Sequence, residues 1–336
     1  MQLDATSNFD GIAVPSSAVS VDNYYDPTTS TTALQLSANT VTFNIDYSFF
    51  NDDLTMTMDF YEDVMVISED ATGNAGDLGE FYFYEIETVA NKDSDDPEVP
   101  PTISGIMGVT PDSVLDAMGV FNQLQGKETD FVPYMGLQIS NESGVCTLGG
   151  YNSDVVYSIY SIQWYATTNQ SQWQVEVKSL FVKDNRYILE SNEDGSMFQV
   201  KISIIHDVIY LNEQAFIQFV SDIEEISGFD FGNAHDLELG AIVYYDGQCS
   251  ELYSSLPWFM VEFPNSVVYE TPPWYYTQQF NETMCLFLIV QAEPDYLEQY
   301  NVNFILGRPF LMNYYTIFNL NTTATSVGII ESTYTQ

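Results

Sequence analysis

Hydrophobic and polar positions alternate with period two along most of this chain, and that pattern predicts strands. Trp173 to Val182 alternates cleanly. Thr42 to Tyr47 does so over a shorter stretch, and in Leu54 to Ile67 Thr55, Thr57 and Asp59 alternate against Met56, Met58 and Phe60. Strands are also predicted at Phe81–Val89 and Phe259–Phe263, and Cys285–Val290 is an apolar run of strand length. Phe304-Ile305-Leu306 is a short apolar run stopped by Gly307, the mark of a buried strand. Tyr314 to Phe318 has high strand propensity, Asn321-Thr322-Thr323 is a polar turn, and Ser326 to Ile330 resumes the strand. Helical spacing occurs at Val114 to Gln125, ending near Gly126. Asn91 to Pro101 is an acidic, proline-rich loop.

Composition narrows the function classes. The chain has 336 residues, enough for one large β protein or two lobes, and 24 Tyr with 22 Phe favour strands. Its formal charge is −41, from 48 acidic and 7 basic residues. So few cations argue against nucleic-acid binding and against docking on an anionic membrane. The charge reads first as a solvated acidic surface, with adaptation to acid or salt and cation binding as alternatives. Nothing in the sequence supports calcium specifically. No apolar run approaches the roughly 20 residues of a membrane helix, and MQLDATSNFD has no signal-peptide pattern. His206 and His235 have no ligand-spaced partners, so no metal or cofactor is expected. Ser203, His206 and Asp207 suggest a triad only by adjacency, without a nucleophile elbow. Four sequons, at Asn141, Asn169, Asn281 and Asn321, are candidate N-glycosylation sites, although so polar a sequence produces about that many by chance.

The stretch from Ile305 to Gly328 carries a more particular signal. Ile305-Leu306-Gly307, Phe310-Leu311, Tyr314-Tyr315-Thr316 and Phe318, then Val327-Gly328, fall in register with the C-terminal signature of the pepsin-like aspartic proteases. Val145 to Gly150 resembles that family's L-T-L-G-G hairpin, Trp173 to Val182 its first strand past the lobe junction, and Cys249-Ser250 to Pro257 its C-S-x-x-x-x-L-P segment. The resemblance covers Leu3 to Ile330. It implies an all-β, bilobal pepsin-like fold with a few short helices, an N-terminal lobe at 1–165 and a C-terminal lobe at 166–336. It pairs Cys249 with Cys285, which implies an oxidising compartment and a secreted, surface or secretory-lumen protein. Cys146 is left over as an expected buried free thiol.

The resemblance fails at the chemistry. The family's mechanism shares one proton between two aspartates about 3 Å apart, each on a glycine-bearing loop. Asp4 stands at the first position, but Asp4-Ala5-Thr6-Ser7 replaces D-T-G-S and the loop to Val14-Pro15 has two residues more than the family's. Ser203 stands at the second, and a serine hydroxyl cannot act as an acid of pKa near 4. Asp207, four residues on, lies roughly 13 Å along an extended chain. Tyr47 occupies the flap position without the usual glycines, and Arg308 follows Gly307 where the family has an acid. The expectation is therefore a non-enzymatic, extracellular or surface protein that binds protein partners. It could assemble with copies of itself, or accept a strand at the N-terminal-lobe edge, where the family's first strand is missing. Two alternatives stand: a divergent acid endopeptidase using Asp4 with a displaced partner, and a cleft that holds peptides without cutting them.

Overall fold

In the computed structural model, described residues comprise the backbone of 2–4, 11–13, 34–45, 54–69, 74–91 and 105–108, then Gln123, then 132–331 apart from 141–143, 153–155, 157–160, 170–171, 183–185, 191–194, 205, 237–239 and 322–323. They fall into two compact units, Met1–Pro133 and Tyr134–Gln336. Of the helix expected at Val114 to Gln125, only Gln123 is described; it is helical and buried. Tyr47, Asn141 and the loop at Asn91 to Pro101 fall outside the described residues, apart from the strand end at Asn91.

The first unit is one sheet of six strands: β1 (Gln2–Asp4), β2 (Gly11–Ala13), β3 (Leu34–Ile45), β4 (Leu54–Glu69), β5 (Asn74–Asn91) and β6 (Gly105–Gly108). Their order is β1-β6-β2-β5-β4-β3. The long antiparallel β4 and β5 contain the predicted strands Leu54 to Ile67 and Phe81–Val89, and β3 contains the stretch from Thr42 as far as Ile45.

The second unit opens with β7 (Tyr134–Ile139), β8 (Gly144–Leu148), β9 (Gln163–Ala166), β10 (Gln174–Val177), β11 (Ser179–Val182), β12 (Arg186–Glu190), β13 (Phe198–Ile202) and β14 (Ile209–Leu211). Helix α1 (Glu213–Ser227), β15 (Gly232–Asp236), β16 (Gly240–Asp246), the short helix α2 (Cys249–Leu252), β17 (Phe259–Glu262) and β18 (Val268–Thr271) follow. The chain ends with α3 (Pro273–Tyr276), β19 (Thr277–Asn281), β20 (Met284–Phe287), β21 (Ile289–Gln291), α4 (Pro294–Glu298), β22 (Phe304–Leu306), α5 (Arg308–Leu311), β23 (Tyr314–Asn319) and β24 (Ser326–Glu331). The alternating stretch Trp173 to Val182 is two strands broken at Lys178. Its halves join different sheets, β10 beside β13 and β11 between β12 and β17.

The core follows from the apolar pattern. Phe304, Ile305 and Leu306 have no exposed surface because β22 lies between β13 and β14. Trp173, also fully buried, packs on Phe318 of β23 with ring centroids 4.8 Å apart. Helix α1 starts at Asn212, whose side-chain oxygen accepts from the Ala215 amide at 2.9 Å as its N-cap. It ends at Gly228 in the left-handed conformation (φ 73°), and it buries Ala215, Phe216, Phe219 and Ile223 on one face.

One correction concerns the second unit. Cys146 is exposed, not buried, because it lies on β8, an edge strand of the sheet β8-β7-β23-β24-β9, and most residues of that strand are open to solvent. At Asp207, partial burial raises the carboxyl above the usual range, while the Arg308 guanidinium beside it pulls the other way and offsets this only in part.

The same arrangement occurs twice. In the first unit β1 is parallel to β6, β6 antiparallel to β2, and β2 parallel to β5. In the second, β13 is parallel to β22, β22 antiparallel to β14, and β14 parallel to β21. In the first two of these pairings the registers coincide at a constant offset. Gln2 faces Ile106 as Lys201 faces Ile305, and Gly11 faces Ile106 as Tyr210 faces Ile305, so 201 − 2, 305 − 106 and 210 − 11 all equal 199. Adding 199 to Asp4 and its partner Gly108 gives 203 and 307, the positions of Ser203 and Gly307.

Candidate functional site

Ser203 is the first residue beyond β13, and its amide donates to the Leu306 carbonyl at 2.9 Å, extending the pairing with β22 by one step. Gly307 lets the segment that follows pass across the end of β22. A Cβ at 307 would lie 2.1 Å from the Val208 carbonyl oxygen and 2.4 Å from that of His206, both backbone atoms that cannot give way. Across that close approach the Arg308 amide donates to the His206 carbonyl at 2.8 Å.

The side chains form a buried polar chain. Ser203 is fully buried and His206 is 5% exposed. The Ser203 Oγ lies 2.5 Å from His206 Nδ1, and His206 Nε2 lies 2.6 Å from the hydroxyl of Tyr296 on α4. Tyr210, Tyr296 and Tyr300 meet the imidazole edge to face, at 5.5, 6.0 and 6.4 Å between centroids. Beneath them the fully buried Lys201 ammonium sits 3.4 Å from the centroid of the Tyr300 ring, a cation–π contact. Burial first, and the Lys201 charge second, hold the His206 pKa well below that of a free imidazole. Neutral imidazole has one donor and one acceptor nitrogen, so two hydroxyl partners satisfy it.

Asp207 is not part of this chain. It is 46% exposed and its carboxylate lies 3.7 Å from the Arg308 guanidinium. Ser203 and His206 thus meet as the adjacency suggests, but the group orienting the imidazole is a phenol, and a serine with no exposed surface is closed to substrate. Tyr296, Tyr300 and Lys201 were not singled out from the sequence. The first two lie some ninety residues away in the chain and show only as a Tyr-x-x-x-Tyr spacing near a proline. Asp4 ends β1 opposite Gly108; its side chain is outside the described residues.

The other predicted positions are structural. Cys249 and Cys285 form a disulfide, with sulfurs 2.01 Å apart. Asn281 is exposed, and its side-chain oxygen accepts from both the amide and the hydroxyl of Thr283, at 2.9 and 3.2 Å. Asn321 is exposed and Asn169 half-buried. Among the described residues no group of three His, Cys, Asp or Glu side chains is placed to hold a metal ion, and no helix is long and apolar enough to cross a membrane.

A family model for eukaryotic aspartyl protease matches residues 10–330. No curated protein matches the chain.

Proposed function

This chain belongs to the eukaryotic aspartyl protease family, and we propose that within it the protein binds or builds rather than cuts. The observation that carries the reading is the hydrogen bonding of Ser203. At the register position that answers to Asp4, the second unit has a hydroxyl locked to His206 and Tyr296. A dyad needs a second carboxylate there to hold the shared proton, and a neutral serine–imidazole–phenol chain supplies none. The acid four residues on is paired with Arg308. With the chemistry gone, a stable β framework with a large acidic surface is suited to holding protein partners, its own copies included. The disulfide favours an oxidising location, secreted, at the surface or in the secretory lumen.

One observation favours a second reading, a divergent acid endopeptidase: Asp4 keeps its place at the end of β1 opposite Gly108. A cleft that retains peptides intact is the third. The test is digestion of an unfolded protein from pH 2 to pH 7 by the purified chain and by Asp4→Asn. We expect no cleavage by either. Turnover that Asp4→Asn abolishes would establish the enzyme instead. Retention of a pepsin-type transition-state mimic without turnover would point to the peptide-holding cleft.

A further inference from the structure

Three aromatic rings stand together on the surface of the second unit. Tyr253 is 36% exposed, Trp258 39% and Trp274 40%. Trp258 and Trp274 meet edge to face at 6.0 Å, and Tyr253 meets Trp274 at 6.5 Å. Single exposed apolar residues need no explanation, but clustered Trp and Tyr do. The chain has four tryptophans, and of these Trp173 is fully buried while Trp258 and Trp274 share this cluster.

The rings are held by a rigid base. Tyr253 follows α2, which begins at the disulfide-bonded Cys249, and Leu252 beneath it is fully buried. Trp274 lies in α3 between the buried Pro273 and Tyr275. The Tyr276 hydroxyl donates to the carbonyl of Pro257, tying α3 to the residue before Trp258. Ordering the rings therefore costs a partner little.

Charge selects the partner. Between Lys201 and Arg308 the chain carries 16 acidic residues and no Lys or Arg. Glu251 of α2 is exposed, and its carboxylate accepts from the Tyr245 hydroxyl at 3.1 Å. A flat cation that stacks on aromatic faces while meeting carboxylates fits such a surface, and among side chains that is arginine. A second copy of this chain does not fit. Its charge is −41, and the arginines with described side chains, Arg186 and Arg308, already face Glu225 and Asp207.

We propose that Tyr253, Trp258 and Trp274 form a docking site for an arginine-rich segment of another protein. This gives the binding role a partner chemistry and rests on that reading. The test is fluorescence anisotropy of a labelled nine-residue Arg/Gly peptide against the full chain, beside its Lys/Gly counterpart, at low and high salt. The expected result is saturable binding of the arginine peptide, several-fold tighter than the lysine one. A Trp258→Ala/Trp274→Ala variant should weaken it tenfold or more. Equal affinity for the two peptides, unchanged binding by the variant, binding indifferent to salt, or none would overturn the site. Should that variant misfold, the four indole N–H signals of the unaltered protein serve instead. Peptide should shift those of Trp258 and Trp274 and leave that of Trp173, and the reverse would refute the site. The recovered peptide separates the two claims. Peptide bound at the rings but cut would end the non-cleaving reading and leave the site. Peptide intact and never bound would end the site and leave that reading.

Discussion

The Ser203–His206–Tyr296 chain predicts a double-mutant cycle whose terms can be ordered in advance. Ser203→Ala strands Nδ1 of an imidazole that is 5% exposed, in a place water does not reach. Leaving such a group unpaired costs about 1–3 kcal/mol. Tyr296→Phe strands Nε2, but Tyr296 is half-buried and a water can take the place of its hydroxyl. Its cost is about 1 kcal/mol, toward the low end. Both hydroxyls act on one ring, so the double variant departs from the sum by about 0.5 kcal/mol or more. The pH dependence is sharper. Burial and Lys201 depress the folded pKa of His206, whereas the unfolded imidazole titrates near pH 6.5. Below about pH 6.5 the unfolded state therefore binds a proton that the folded state refuses. The stabilisation is complete above that pH and is lost as pH falls toward the depressed folded value, by up to about tenfold in the folding equilibrium per pH unit. Of the groups near the ring, Lys201 repels the proton and Tyr210, Tyr296 and Tyr300 bring no carboxylate, while the raised carboxyl of Asp207, whose effect on stability runs the other way, is common to the wild type and to the His206→Gln variant. Urea unfolding followed by Trp173 fluorescence, between pH 8 and pH 5, reads this directly. His206→Gln keeps an amide in the site without a titration, and the difference between the two curves isolates the imidazole from the carboxylates. Parallel loss of stability in the two proteins would refute the buried neutral histidine.

The Cys249–Cys285 disulfide closes a loop with a sequence separation of 36. Loop closure of that length destabilises the unfolded state by about 4 kcal/mol, so the paired Cys249→Ser/Cys285→Ser variant should lose about that much stability and unfold at a lower urea concentration. A midpoint unchanged by the variant or by reductant would contradict it. Gly307→Ala places a methyl 2.1 Å from a backbone oxygen and should cost about 3 kcal/mol or more. Soluble, wild-type-like expression of that variant would show that the close approach is not obligatory.

The strands were legible because each has a local cause. Phe304-Ile305-Leu306 and Tyr314 to Phe318 are apolar where β22 and β23 are buried, and Asn212 caps α1 because a short side-chain oxygen can reach the Ala215 amide. Lys178 was read through, since alternation alone does not say when a strand leaves one sheet for another. Cys146 is expected inside because free cysteine is among the most buried residue types, but sequence does not reveal that β8 is an edge. The site was legible only at Ser203 and His206. Tyr296 meets His206 and Lys201 meets Tyr300 across ninety or more residues of chain, a tertiary fact with no local signal. Tyr47 and Asn141 lie outside the described residues.

Gly307 has a consequence for how such chains change over time. The pressure on it comes from two carbonyl oxygens of a neighbouring segment, and they press equally whether a carboxylate or a hydroxyl stands at 203. The side chain at 203 can therefore change without touching that contact, whereas any side chain at 307 collides with it. The Ile305-Leu306-Gly307 tract of this chain is thus a requirement of how the backbone closes on itself, and carries no testimony about turnover.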